Sequence, residues 1–100
     1  MTYRLTLDTE QLAQICRRQQ IRRLALFGSV LAGTAQPESD IDLLVEFEPG
    51  QAPGLLRLAA IEAELSALLG GRRVDLRTAQ DLSPHFRDQV LRTAEVQYAA

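Results

Sequence analysis

Apolar positions along the chain switch repeatedly between a helical period and strand-like runs, the mark of an alternating α/β sequence. Leu12, Ile15 and Cys16 recur at helical spacing behind Asp8 or Thr9 as N-cap, with Gln11 placed for a capping box from Asp8. They predict a helix to about Arg18. Residues 21–27, IRRLALF, read as a buried strand, and Gly28-Ser29 follows at once to open a short helical segment, VLAG, that stops at Gly33. Residues 41–47 read as the second and most apolar strand. Between Gly54 and Leu69, the residues Leu55, Leu58, Ile61, Leu65 and Leu68 form one stripe of an amphipathic helix that Gly70-Gly71 closes. Residues 73–77 give a short third strand. Ser83 as cap, with Pro84 in the first turn, starts a last helix that turns Phe86, Val90, Leu91 and Ala94 inward. The expected fold class is α/β (α+β), with a small mixed sheet of three or slightly more strands, about four flanking helices and the order α-β-α-β-α-β-α.

The candidate chemistry lies between Gly28 and Phe47, in GSVLAGTAQPESDIDLLVEF. Alternate side chains of a strand share a face, so Asp40 and Asp42 point the same way, roughly 6.6 Å apart by Cα, while Ile41, Leu43 and Val45 face the core. Two like charges so held repel unless a cation lies between them. A hard divalent ion with oxygen ligands suits them, most naturally Mg²⁺, which keeps waters and completes its shell with substrate phosphates. Gly28 allows close backbone approach, while the Ser29 hydroxyl and the N–H groups of a helix start can donate to phosphate oxygens. An isolated Asp-x-Asp or Gly-Ser is usually no more than a turn or a strand start. The pair in tandem, each set against an apolar strand with residues 30–39 between, is far more specific. Asp75 shares a strand face with Arg73 and Arg77 and joins the two carboxylates if its strand pairs with the second.

These residues resemble the nucleotidyltransferase fold shared with polymerase beta, and the length and flanks resemble the minimal nucleotidyltransferase (MNT) domain of HEPN/MNT toxin–antitoxin pairs. The likeness runs from about Ile21 to Tyr98, carried most by SDIDLLVEFEPG, the strand VDL and LSPHFRDQVLRTA. The resemblance implies transfer of AMP from ATP to a hydroxyl, with pyrophosphate leaving. It assigns Asp40, Asp42 and Asp75 to catalysis and to a pair of Mg²⁺ ions, with Asp75 also able to accept the proton of the attacking hydroxyl. Gly28 and Ser29, with Arg73 and Arg77, are then the phosphate-binding candidates. The implied acceptor is a tyrosine of a partner HEPN toxin encoded by a neighbouring gene, in a type VII-like pair, and a hetero-oligomer with that toxin is among the expectations. The family pattern commonly reads Gly-Ser-x-Ala-Arg-Gly, whereas residues 28–33 read Gly-Ser-Val-Leu-Ala-Gly, so Ala32 stands where an arginine is usual. Arginine is the usual bidentate phosphate donor, and its absence bears on catalytic strength. Two alternatives therefore stay open: an antitoxin that is a weak catalyst and neutralises by binding, and a transferase acting on a small molecule or a nucleic-acid end.

Composition narrows the setting. The 100 residues carry 11 basic and 13 acidic side chains, a net charge of −2, so the chain lacks the global positive field of a nonspecific nucleic-acid coat, and no stable nucleic-acid binding is expected. The length suits one domain, residues 1–100, which leaves the acceptor to another molecule. The single Cys16 fits a reducing cytoplasm and a place in a helix core, and no apolar run has the roughly 20 residues of a membrane span. All basic residues are arginines. Arg17, Arg18, Arg22 and Arg23 read as a solvated corner, and His85 as a surface or capping residue. Glu46 shares the face of the Asp pair but lies roughly 13 Å from Asp42, so solvent is its expected place. For Tyr98, packing and partner contact both stay open.

Overall fold

The computed structural model describes residues 8–28 and 40–100, so the short helix expected after Gly28 lies outside the described residues. Helix α1 covers Thr9–Arg18, with Asp8 as its N-cap. The Asp8 carboxylate accepts the backbone N–H groups of Glu10 and Gln11 at 3.1 and 3.2 Å, satisfying donors that a helix start leaves unpaired. Strand β1 (Ile21–Phe27) and strand β2 (Ile41–Phe47) are antiparallel neighbours. Helix α2 (Leu55–Leu68) is the crossover that lets β3 (Val74–Arg77) lie parallel to β2. Its end is closed by Gly70 and Gly71, both at positive φ, and the Gly71 N–H donates to the Ser66 carbonyl at 2.8 Å.

A 3-10 turn at Ala79–Asp81 leads into helix α3 (Pro84–Thr93), and a fourth strand, β4 (Glu95–Ala99), pairs antiparallel with β1. The sheet order is β3-β2-β1-β4. The fourth strand was not among the expected elements. It lies at the sheet edge, Tyr98 opposite Leu24, and Tyr98 packs half-buried against the main core.

That core gathers Leu12, Ile15 and Cys16 of α1 and Ile61 and Leu65 of α2 against Leu24, Leu26, Ile41, Leu43, Val45, Val74 and Leu76 of the sheet. Cys16 is fully buried there, and burial pushes its thiol up to about 12, the inert state of a core cysteine. Arg18 and Gln19 both donate to the Glu64 carboxylate, tying α1 to α2 at their solvent rim. The opposite sheet face carries a much smaller cluster of Phe27, Leu82 and Val90, with Leu44 and Ala94 against it. Arg87 secures this side, its guanidinium donating to the carbonyls of Ala79 (2.6 Å) and Leu82 (3.1 Å).

Two expected helix faces are narrower than their apolar patterns. Leu55 and Leu56 are 86% and 91% exposed. They lie in the first turn of α2, ahead of Leu58, the first residue of this helix that packs on the core. On α3 only Val90 is buried; Phe86 and Leu91 stay exposed because the cluster beneath is too small to cover them.

A half-buried polar contact fixes α2 on β3. The Glu62 carboxylate accepts the Leu76 N–H at 2.9 Å, covering a backbone donor of an edge strand. Glu62→Ala is expected to lower stability by about 1–2 kcal/mol, an unmet backbone donor being the cause. For a domain this size that is a Tm fall of about 5–15 °C in thermal denaturation, while Glu62→Gln, which keeps an accepting carbonyl oxygen, stays close to wild type. Among the described residues no helix is long and apolar enough to cross a membrane.

Candidate active site

Because β1 runs antiparallel to β2 and β2 parallel to β3, the C-terminal end of β1 meets the N-terminal ends of the other two strands. Phe27 stands opposite Asp42, and Asp42 stands in register with Asp75. Gly28, Asp42 and Asp75 thus come together at one end of three adjacent strands. Asp42 and Asp75 alternate with buried Ile41, Leu43, Val74 and Leu76, so they occupy the face away from the main core. Asp40 stands just before β2, where the Ile41 N–H donates to the Arg73 carbonyl at 2.8 Å.

Gly28 turns the chain away from β1 at φ +80°, in the left-handed region that favours glycine. A Cβ there would collide with Asp42 Oδ2 and stand 2.9 Å from Cγ, so the Asp42 carboxylate rests in the space a side chain would otherwise fill. Burial raises the Asp42 carboxyl above the usual carboxylate range, and the negative charges of Asp75 and then Asp40 raise it further, against the lowering effect of Arg77. Burial and the neighbouring carboxylates thus act on Asp42 in the same direction.

Arg77 folds back on Asp75, its Nε 3.2 Å from both carboxylate oxygens. Arg73 pairs more loosely with Asp40 at 3.9 Å and is 82% exposed. Both arginines expected at the phosphates therefore stand beside the carboxylates as counter-charges. Ser29 and Ala32 lie outside the described residues. Glu46 is at the surface, as expected, within 3.8 Å of Arg22, and His85 is exposed at the start of α3.

A cavity of about 290 Å³ opens over this end of the sheet, with Gly28, Asp42, Asp75 and Arg77 in its wall. Phe27, Leu82 and Phe86 give it an apolar side. Asp81 also lines it; its carboxylate accepts the Thr78 backbone N–H at 3.0 Å, and this bond, with one from the Thr78 side chain, holds its carboxyl below the usual range. Sequence reading missed Asp81 and the place of Phe86 in this wall; both lie in DLSPHF, residues 81–86, which follows β3. Among the described residues no three metal-ligating side chains converge as they now stand. The donor set nevertheless fits a hard cation. It is all carboxylate oxygen, its members repel one another at Asp42, and the arginines neutralise it from outside.

The nucleotidyltransferase domain family matches the chain over residues 9–96. The protein adenylyltransferase MntA of Thermococcus cleftensis is 39% identical over 79 residues, which span 79% of this chain and 77% of that protein. A solved structure provisionally assigned as a minimal nucleotidyltransferase is 43% identical and superposes with a TM-score of 0.69, covering 86% of this chain and 85% of that one. The complex of a tri-AMPylated Shewanella oneidensis HEPN toxin with its MNT antitoxin matches at a TM-score of 0.64 and 18% identity, over 92% of this chain and 70% of that one, a likeness of fold. A strand-end glycine packed on the first of two in-register aspartates is thus found in a chain whose sequence and fold agree along most of its length, and the chain belongs to the nucleotidyltransferase domain family.

Proposed function

We propose that this chain is a single-domain protein adenylyltransferase that transfers AMP from ATP to a hydroxyl, a tyrosine for preference, of a partner HEPN toxin and so serves as its antitoxin. The observation that carries the reading is the in-register pair Asp42 and Asp75 beside Gly28. Identity to a named protein adenylyltransferase supports the choice of acceptor class. ATP as donor suits a cytoplasmic setting.

In the transfer, the acceptor oxygen bonds to the α-phosphorus, the bond to the bridging oxygen breaks, and pyrophosphate leaves. Asp40, Asp42 and Asp75 would hold the divalent metal, Mg²⁺ in the first instance, and bound Mg²⁺ supplies neutralisation of the triphosphate and of charge developing on the leaving oxygen. Asp75, on the accessible face of β3, receives the hydroxyl proton. Gly28 and Ser29 are the proposed phosphate-binding residues. Arg73 and Arg77, released from their carboxylates, supply donors to phosphate oxygens in place of the arginine that Ala32 replaces.

The test is incubation of the purified protein with its partner toxin, ATP and Mg²⁺, read by intact mass. Stepwise addition of AMP to the toxin is expected, and its loss in Asp40→Asn with Asp42→Asn. Labelling that persists in the double variant overturns the assignment of the carboxylates. Rescue of cells from the toxin by that unlabelling variant identifies neutralisation by binding instead.

A further inference from the structure

We infer that Phe86 is the wall on which the nucleotide base stacks, and that it gives the site a preference for purine over pyrimidine nucleotides; the inference rests on the nucleotidyl-transfer reading of the site. The cavity is divided chemically. Asp42, Asp75 and Arg77 occupy the polar side, where metal and phosphates belong, and Phe27, Leu82 and Phe86 line the rest. An apolar wall beside a few convergent polar groups is the usual build of a small-molecule site.

The two aromatic rings differ in a telling way. Phe27 is 5% exposed and belongs to the small core beneath α3, whereas Phe86 is 44% exposed. They meet edge to face, centroids 6.3 Å apart and planes at 68°. Phe27 thus fixes the tilt of Phe86 while leaving much of the second ring in solvent. The backbone beneath is fixed as well, since Arg87 next in sequence bonds to the carbonyls of Ala79 and Leu82. A large apolar ring held still and half in water, at the rim of a site with a carboxylate cluster, loses little freedom when a flat ligand covers it. Stacking on a phenyl ring follows the area of the partner's π-face and is tolerant of its hydrogen-bonding edge, so it favours purines as a class without separating adenine from guanine.

The test measures binding by calorimetry with Mg²⁺ present, using ATP, GTP, CTP and UTP and, as a probe without a base, tripolyphosphate. Phe86→Ala is expected to weaken ATP and GTP by roughly 5- to 150-fold, the range of one base-stacking contact. Tripolyphosphate affinity should stay unchanged, and the margin of purines over pyrimidines should collapse. Phe86→Trp should keep or widen that margin, and a folded Phe86→Leu stands in if the alanine variant unfolds. Equal losses for ATP and tripolyphosphate would mean a structural role and overturn the inference, as would unchanged nucleotide binding with a loss of toxin binding. If the wild-type protein binds neither ATP nor tripolyphosphate, the nucleotide reading of the whole site falls, and the aromatic wall with it.

Discussion

Asp42→Asn is expected to lower AMP transfer by more than about 100-fold while raising the Tm of the metal-free protein by a few degrees. The loss follows from removing a direct ligand where even an outer partner of a metal ligand is worth about 10- to 100-fold. The gain in stability follows from the geometry. Asp42 is half-buried beside Gly28, and burial and the charges of Asp75 and Asp40 together push its carboxyl upward. A group whose folded pKa lies above its unfolded value contributes most stability below the unfolded value, and that contribution is lost as pH rises through the folded one. In buffer with a chelator, wild-type Tm should therefore carry a downward component as pH rises through and above the carboxylate range, and Asp42→Asn should lack it. Added Mg²⁺ should raise the wild-type Tm at neutral pH and leave that of the variant nearly still. A variant less stable than wild type in chelator at pH 7 would show that Asp42 is held by favourable contacts.

The second large effect is expected at Gly28. Gly28→Ala places a β-branch-free but real Cβ at φ +80°, costing about 1–2 kcal/mol of backbone strain, and drives that atom into the Asp42 carboxylate. Urea unfolding should show a loss of at least that size, with transfer activity falling in parallel because Asp42 must move. Combining Gly28→Ala with Asp42→Ala separates the two costs. The double variant should recover most of the steric part, the Cβ at position 42 still standing 3.1 Å away, and retain the backbone part, a coupling that a double-variant cycle reads directly. Additive losses would mean that glycine is needed for its backbone angle alone.

Much of this site was legible because strands alternate. Once Ile41, Leu43 and Val45 are placed in the core, Asp42 has only one face to occupy, and the same argument at Val74 and Leu76 places Asp75. Their meeting needed only that β2 and β3 be neighbours, which a single helical crossover makes natural. Other features depended on sizes that periodicity does not carry. The exposure of Leu55 and Leu56 comes from where the core stops along α2, and that of Phe86 from how little α3 has beneath it. Strand β4 escaped because EVQYA is short, lies at an edge and shows no buried side chain. The spacing puts Arg77 on the strand face of Asp75, while its closure on that carboxylate, in place of a phosphate, is a choice of rotamer.

The strand order has a consequence for when this protein becomes competent. Gly28, Asp42 and Asp75 come from three strands, and the last pairing must close around the whole of α2 before Asp75 arrives beside Asp42. Contacts so distant in sequence form late, since loop closure must precede them. A nascent or half-folded chain carries one or two of the carboxylates but not their conjunction. Metal-dependent protection of β3 amides from exchange would therefore time the completion of the sheet.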